Sequence, residues 1–95
     1  MKKYEIMYIL SSSLEEAARK DEIAKIQSIL EANKVKVASS QELGMKDFAT
    51  PIHKQLKGFY VVLKVNGDIE GLNEFSRQAK LDQNVVRFLI TIDQD

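Results

Sequence analysis

ELGMKDFATPIHKQLKGFYVVLKV, residues 42–65, reads as a long hairpin of two extended arms. Leu43, Met45, Phe48 and Ile52 mark the first arm. Gly44 supplies a bulge or bend in it, and Pro51 forces Thr50 into an extended conformation. A proline cannot donate to a β ladder, so this arm belongs at the edge of its sheet. The second arm, Phe59–Val65, is apolar, aromatic or β-branched at every position except Lys64 and belongs at the centre. The polar turn between them, His53–Lys57, carries His53, Lys54 and Lys57. A buried arm, an open-edged arm and a basic tip make a binding element.

Outward from the hairpin, two helices and two further strands are predicted. On the N-terminal side, Tyr4–Leu10 is apolar on both parities, as befits an interior strand. Ser13 and Glu16 have the capping-box spacing, and the helix they open carries Ile23, Ile26, Ile29 and Leu30 on one stripe. Asn33 is suited to the left-handed position at its end. Val35–Ala49 resumes extended structure into the hairpin. On the C-terminal side, Asn66-Gly67-Asp68 turns the chain and Asp68 is placed to cap a second helix, in which Leu72, Phe75 and Ala79 recur at helical spacing. Gly71 should weaken that helix by about 1 kcal/mol relative to alanine. Val85–Ile92 alternates as a last strand, with Arg87 on the parity opposite Phe88 and Ile90. The order β-α-β-β-α-β specifies an α+β, ferredoxin-like domain spanning 1–95, with both helices on one face of a four-stranded antiparallel sheet. Strands one and three are central in it, and two and four are the edges.

Composition narrows the function. Of 95 residues, 44% are hydrophobic and 29% charged, which is ordinary for a globular chain. The 14 Lys and Arg offset 14 Asp and Glu, so attraction to a polyanion must come from a local patch. The absence of cysteine removes disulfides, iron–sulfur ligation and thiolate zinc sites. Ile6–Leu10 is too short for a secretory segment or a membrane span, which places the chain in the cytosol, away from membranes.

Chemistries known on this topology each demand residues that are missing. Ser11-Ser12-Ser13 offers neither glycine nor arginine to cradle an acyl phosphate. His53 stands in a polar turn without pocket-forming sequence, so it is read as a solvated side chain and not a nucleophile. Glycine-poor loops speak against a small-molecule pocket. No cofactor and no catalytic group are expected. The RNA-recognition module shares the element order, and Lys57-Gly58-Phe59 opens like its strand-three signature. Tyr60 and Val61 then break it, one by bulk and the other by lacking a stacking ring.

A more extensive resemblance runs from Lys2-Lys3-Tyr4-Glu5 to Asn84-Val85-Val86-Arg87. It is carried by that opening, by Glu42-Leu43-Gly44, Lys46, Ala49-x-Pro51-Ile52, Lys54, Gly58 with its following aromatic, and the Asn84-Val85-x-Arg87 start of the last strand. In these residues, order and spacing the chain resembles the family of the sixth protein of the bacterial small ribosomal subunit. Phe48 and Thr50 stand where that family commonly has leucine and tyrosine. The resemblance implies a ferredoxin-like ribosomal protein that binds the central domain of small-subunit ribosomal RNA together with the eighteenth protein of the subunit.

The residues themselves nominate two sets. Lys2, Lys3, His53, Lys54 and Arg87 are candidates for RNA phosphate, against the reading of each as an ordinary surface group. Antiparallel pairing of strands one and four would set Lys2 and Lys3 apart from Arg87. Tyr4 shares parity with Ile6 and Leu10 and is assigned to packing. Lys46, Phe48, Thr50 and Ile52 lie on the edge arm, whose open backbone is a template for another chain. The competing reading is a regulatory or assembly module that dimerises through this edge.

Overall fold

In a computed structural model, which describes residues 2–52 and 55–92, the chain runs β1 (Lys2–Ser11), α1 (Glu16–Ala32), β2 (Lys36–Ile52), β3 (Gln55–Gly67), α2 (Ile69–Leu81), β4 (Val85–Ile92). The strands form one sheet in the order β2-β3-β1-β4. All neighbours are antiparallel. The two strands whose inner-face residues are buried throughout, Tyr4 to Leu10 and Phe59 to Val65, are the central ones, and the proline-bearing arm is an edge.

Alternation decides what each face buries. Tyr4, Ile6, Tyr8 and Leu10 of β1 lie opposite Val65, Leu63, Val61 and Phe59 of β3. Together with Ile26 and Leu30 of α1 and Leu72, Phe75 and Ala79 of α2 they form one core, and Phe88 and Ile90 of β4 pack against it. Full burial of each aliphatic side chain contributes about 1.5–3 kcal/mol. Tyr4 is packing, as its parity indicated. The other face carries Met7, Tyr60, Val62, Arg87 and Leu89 with no helix over them.

The hairpin arms are longer than the sequence indicated, because backbone pairing continues into Gln55–Gly58. Gly44 has φ +93 and stands at a register shift between Glu42 and Gly44, so the predicted bulge is present. Pairing with β3 lapses again between Asp47 and Ile52, the interval that holds Pro51.

Three local expectations are corrected. The Ser13–Glu16 capping box does not form: the residue before α1 is Glu15, with no side-chain cap. Ser13 instead shares a 2.8 Å hydrogen bond with the Ser11 hydroxyl, in a turn closed by the Leu14 amide donating to the Ser11 carbonyl. Asn33 is not left-handed; Lys34 is, with φ 63. The Lys34 amide donates to Glu31 and the Val35 amide to Leu30, a complete Schellman closure, while the Asn33 side chain donates to the Ile29 carbonyl. The turn is pulled one residue later because Val35 is wholly buried as the anchor of the closure. Asp68 precedes α2 in extended conformation, but its carboxylate makes no cap hydrogen bond; its carbonyl receives the Gly71 and Leu72 amides.

Gly71 is not merely a weak helix former. A Cβ there would lie 2.5 Å from the Asn33 carbonyl oxygen and 2.8 Å from Val35 Cγ2, so its bareness lets α2 approach the end of α1. Replacing Gly71 with alanine should therefore destabilise the fold by about 1–3 kcal/mol, although helix propensity alone would gain about 1 kcal/mol. Denaturant midpoints decide the sign.

Beneath the α2–β4 connection, Glu22 is buried on α1, where the stripe predicts an apolar residue. Its Oε1 accepts from Asn84 Nδ2 at 3.1 Å. Burial, then the adjoining Asp82 carboxyl, push Glu22 above the ordinary carboxylate range. Burial also opposes ionisation of Asp82, but its bonds with Glu22, the Asn84 amide and Lys25 outweigh this and hold it low. When the pair holds a single proton, it therefore sits on Glu22 and the charge on Asp82, 3.3 Å from Lys25 Nζ. Because the folded-state value of Glu22 is raised, its contribution is complete below the unfolded carboxylate value and is lost as pH rises through the folded one. Glu22→Gln should cancel that loss, so its stability relative to the parent should grow as pH rises from about 4.5. Thermal unfolding across a pH series checks this.

Candidate nucleic-acid and partner interface

The sheet register builds the site. Arg87 of β4 lies opposite Ile9 of β1, Ile9 opposite Tyr60 of β3, and Tyr60 opposite Gly44 of β2. This row runs across the helix-free face. Ile9 is nonetheless only 3% exposed, because the far arm of β2 folds over it. A Cβ on Gly58 would collide with Ile9 Cγ2 and approach Phe48 Cζ to 2.8 Å, so the missing side chain makes room for the Phe48 ring. Phe48 also meets Tyr60 at 6.2 Å between centroids, tilted by 54°, a favourable aromatic geometry. Lys46 Nζ stands 5.7 Å from the centre of the Tyr60 ring, within cation–π range.

Between this arm and β4 is a hollow of about 330 Å³ lined by Asp47, Phe48, Thr50, Pro51, Tyr60 and Arg87. Arg87 also lines a second hollow, of about 670 Å³, toward the end of α2. The base of the hairpin tip is fastened to the same end of the sheet. Gln55 Oε1 accepts from the Ser12 amide at 3.0 Å and from the hydroxyls of Ser12 and Ser11 at 3.2 and 3.3 Å.

Of the predicted RNA set, Arg87 is exposed on the outer parity of β4, as the alternation required. Lys2 and Lys3 are exposed too, but opposite Gly67 and Asn66 at the other end of β1. Seven residues of strand separate Lys2 from Ile9, the partner of Arg87, or about 24 Å. The set is therefore divided, and Lys2 shares its hollow with Asp68 and Glu70. His53 and Lys54 lie outside the described residues. Of the partner set, Lys46 and Thr50 are exposed on the arm, and Phe48 is half-buried against Tyr60 and Gly58. Ile52 pairs with Gln55 at the base of the tip. Sequence reading missed Tyr60, which it treated as a misfit to another motif, and Gln55. The signal for Tyr60 was its place two residues after Gly58, on the same side of the strand, where a side chain meets whatever crosses that glycine.

A ferredoxin-like sheet that offers an edge arm and a cationic corner, and hollows too open to enclose a reacting centre, defines a scaffold and binding protein. Comparison with known proteins agrees. The chain belongs to the family described as Ribosomal protein S6, whose model matches residues 3–91. It is 42% identical over 94 residues, 99% of both chains, to the small ribosomal subunit protein bS6 of Shouchella clausii. To that of Halalkalibacterium halodurans it is 40% identical over the full length of both. The crystal structure of 30S ribosomal protein S6 from Thermotoga maritima superposes with a TM-score of 0.93 at 25% identity, covering 97% of this chain and 87% of that one. This is a family of structural ribosomal components and not of enzymes.

Because Phe48 fastens the arm where ladder pairing lapses, Phe48→Ala should cost about 1–2 kcal/mol, less than truncation of a fully buried ring. It should also speed amide exchange selectively in residues 47–52 relative to β1 and β3. Uniform exchange in parent and variant would mean that the arm is held by its backbone alone.

Proposed function

We propose that this small-subunit ribosomal protein binds the central domain of small-subunit ribosomal RNA jointly with the eighteenth protein of the subunit. The family match over nearly the whole chain is the observation that carries the reading. In this reading the chain works in the cytoplasm as part of the ribosome; no helix among the described residues is long and apolar enough to cross a membrane.

Charge supports a shared mode of binding. A chain with formal net charge +0 neutralises few phosphates by itself. Arg87, with His53 and Lys54 of the tip, serves the RNA backbone at one end of the sheet, and Lys2 and Lys3 serve a separate point at the other. The partner protein supplies most of the remaining positive surface. It takes the edge arm, where Lys46, Thr50 and Ile52 lie and Phe48 sets the arm's position.

Titration of a central-domain RNA fragment should show feeble binding by this protein alone and tight binding once the eighteenth protein is added. Equal affinity with and without it would overturn the joint mode. Arg87→Ala should leave stability within about 0.5 kcal/mol. In the two-protein complex it should weaken binding and lower the slope of log affinity against log salt by about 1, uniformly across RNA sequences. A change of sequence preference would instead indicate a base contact.

A further inference from the structure

We propose that the corner between the end of α2 and the start of β4 is a second seat for RNA backbone, formed by Lys80, Gln83 and Gln55 beside Arg87. The proposal rests on the RNA-binding reading above and extends it to residues that neither the sequence motif nor the family resemblance singled out.

The corner is a hollow of about 670 Å³ whose lining includes Gln55, Lys80, Asp82, Gln83 and Arg87. Its charge is positive despite Asp82. That carboxylate is already taken by Lys25 Nζ at 3.3 Å and by the Asn84 amide at 2.9 Å, and its side chain is 9% exposed. Lys80 and Arg87 are both exposed, and neither forms an ion pair among the described residues. Two cations without an ion pair, beside one spent acid, form a local patch on this side of Arg87, Asp47 lying in the hollow on its other side, on a chain whose formal net charge is zero.

The amides match the chemistry of the backbone. Three donors converge on Gln55 Oε1, which fixes the oxygen end of that side chain and leaves Nε2 as a donor. Gln83, exposed in the turn before β4, carries both a donor and an acceptor, which suits a ribose hydroxyl as well as a phosphate oxygen. Val85, Val86 and Phe88 supply apolar wall for sugar faces. Arg87 lines this hollow and also the one beneath the hairpin arm. A strand seated on Arg87 therefore continues to Lys80 on the side away from the arm.

The ordinary role for Lys80 is a cation completing the last turn of α2. That role predicts lost stability and unaltered binding by the folded protein. The test is binding of the central-domain RNA fragment by the two-protein complex over a salt series, with Lys80→Ala, Gln83→Ala and Arg87→Ala compared. Lys80→Ala should weaken binding several-fold and flatten the salt slope by about 0.7–1, as Arg87→Ala does, while Lys80→Arg restores both. Gln83→Ala should weaken binding without altering the slope. If Arg87→Ala weakens binding and Lys80→Ala leaves affinity and slope unchanged, the corner is not a seat and the Arg87 reading stands. If neither matters in a tightly binding complex, both fall. Competition by inorganic phosphate at the concentration of the RNA would mark a free-anion site and overturn the proposal as well.

Discussion

The pairing of β1 with β3 is the constraint on which the other elements depend. It runs from Lys2 opposite Gly67 to Ser11 opposite Gly58 without a register shift. A slip of one residue would move Tyr4, Ile6, Tyr8 and Leu10 from the helix face to the open face and strip both helices of their platform. Each outer strand departs from regularity where these two do not: β4 shifts register beside Leu10, and β2 shifts three times against β3. The centre is regular because both of its faces carry apolar residues, and the edges are free to bend because each has only one paired neighbour. The candidate binding residues Lys46, Thr50 and Arg87 sit on those bending edges, held by a centre that cannot slide.

The distribution of charge follows from the same division. The central strands spend most of their side chains on packing, so the exposed cations of the sheet, Lys64 apart, lie near strand ends and in the hairpin. At the Ser11 end the last turn of α2 contributes Lys80, and Arg87 follows in the first residues of β4. There Asp82, the acid that lines the corner hollow, is held by Lys25 and Asn84, and Asp47 lies in the other hollow beside Arg87. At the Lys2 end, Asp68 and Glu70 stand beside the lysine. A chain of zero formal net charge thus has one corner where Lys80 and Arg87 make no ion pair among the described residues and another where the signs are mixed.

Element order, the central and edge strands, the bulge at Gly44 and the parity of Arg87 were all legible in the sequence, because each follows from periodicity or from a residue with a single backbone use. What was not legible depended on contacts distant in sequence. Ser13 had the spacing for a cap, but its hydroxyl is taken by Ser11, in a turn fastened to Gln55 some forty residues on. Asn33 was the better left-handed residue by type, but burial of Val35 gives that conformation to Lys34. Gly71 read as a flaw in a helix until the Asn33 carbonyl was found against it. For the site, alternation read Arg87 as outward-facing, Pro51 read the arm as an edge, and antiparallel order read Lys2 and Lys3 as set apart from Arg87; only the register gives the distance between them. Tyr60 and Gln55 were missed because their roles exist only once the arm has folded back over the sheet.

The lapses in β2 pairing bear on the solubility of the free protein. A strand of 17 residues at a sheet edge is a long template for uncontrolled addition of other strands. Here the shifts after Val37, Glu42 and Asp47 cut it into short straight runs such as Ser39–Glu42 and Gly44–Asp47. Each is about 13 Å long, too short for a stable run of intermolecular ladder. Another copy of the chain would have to reproduce every bend to pair along the whole edge. The irregularity that bends the arm over the sheet therefore also keeps free copies from polymerising through it.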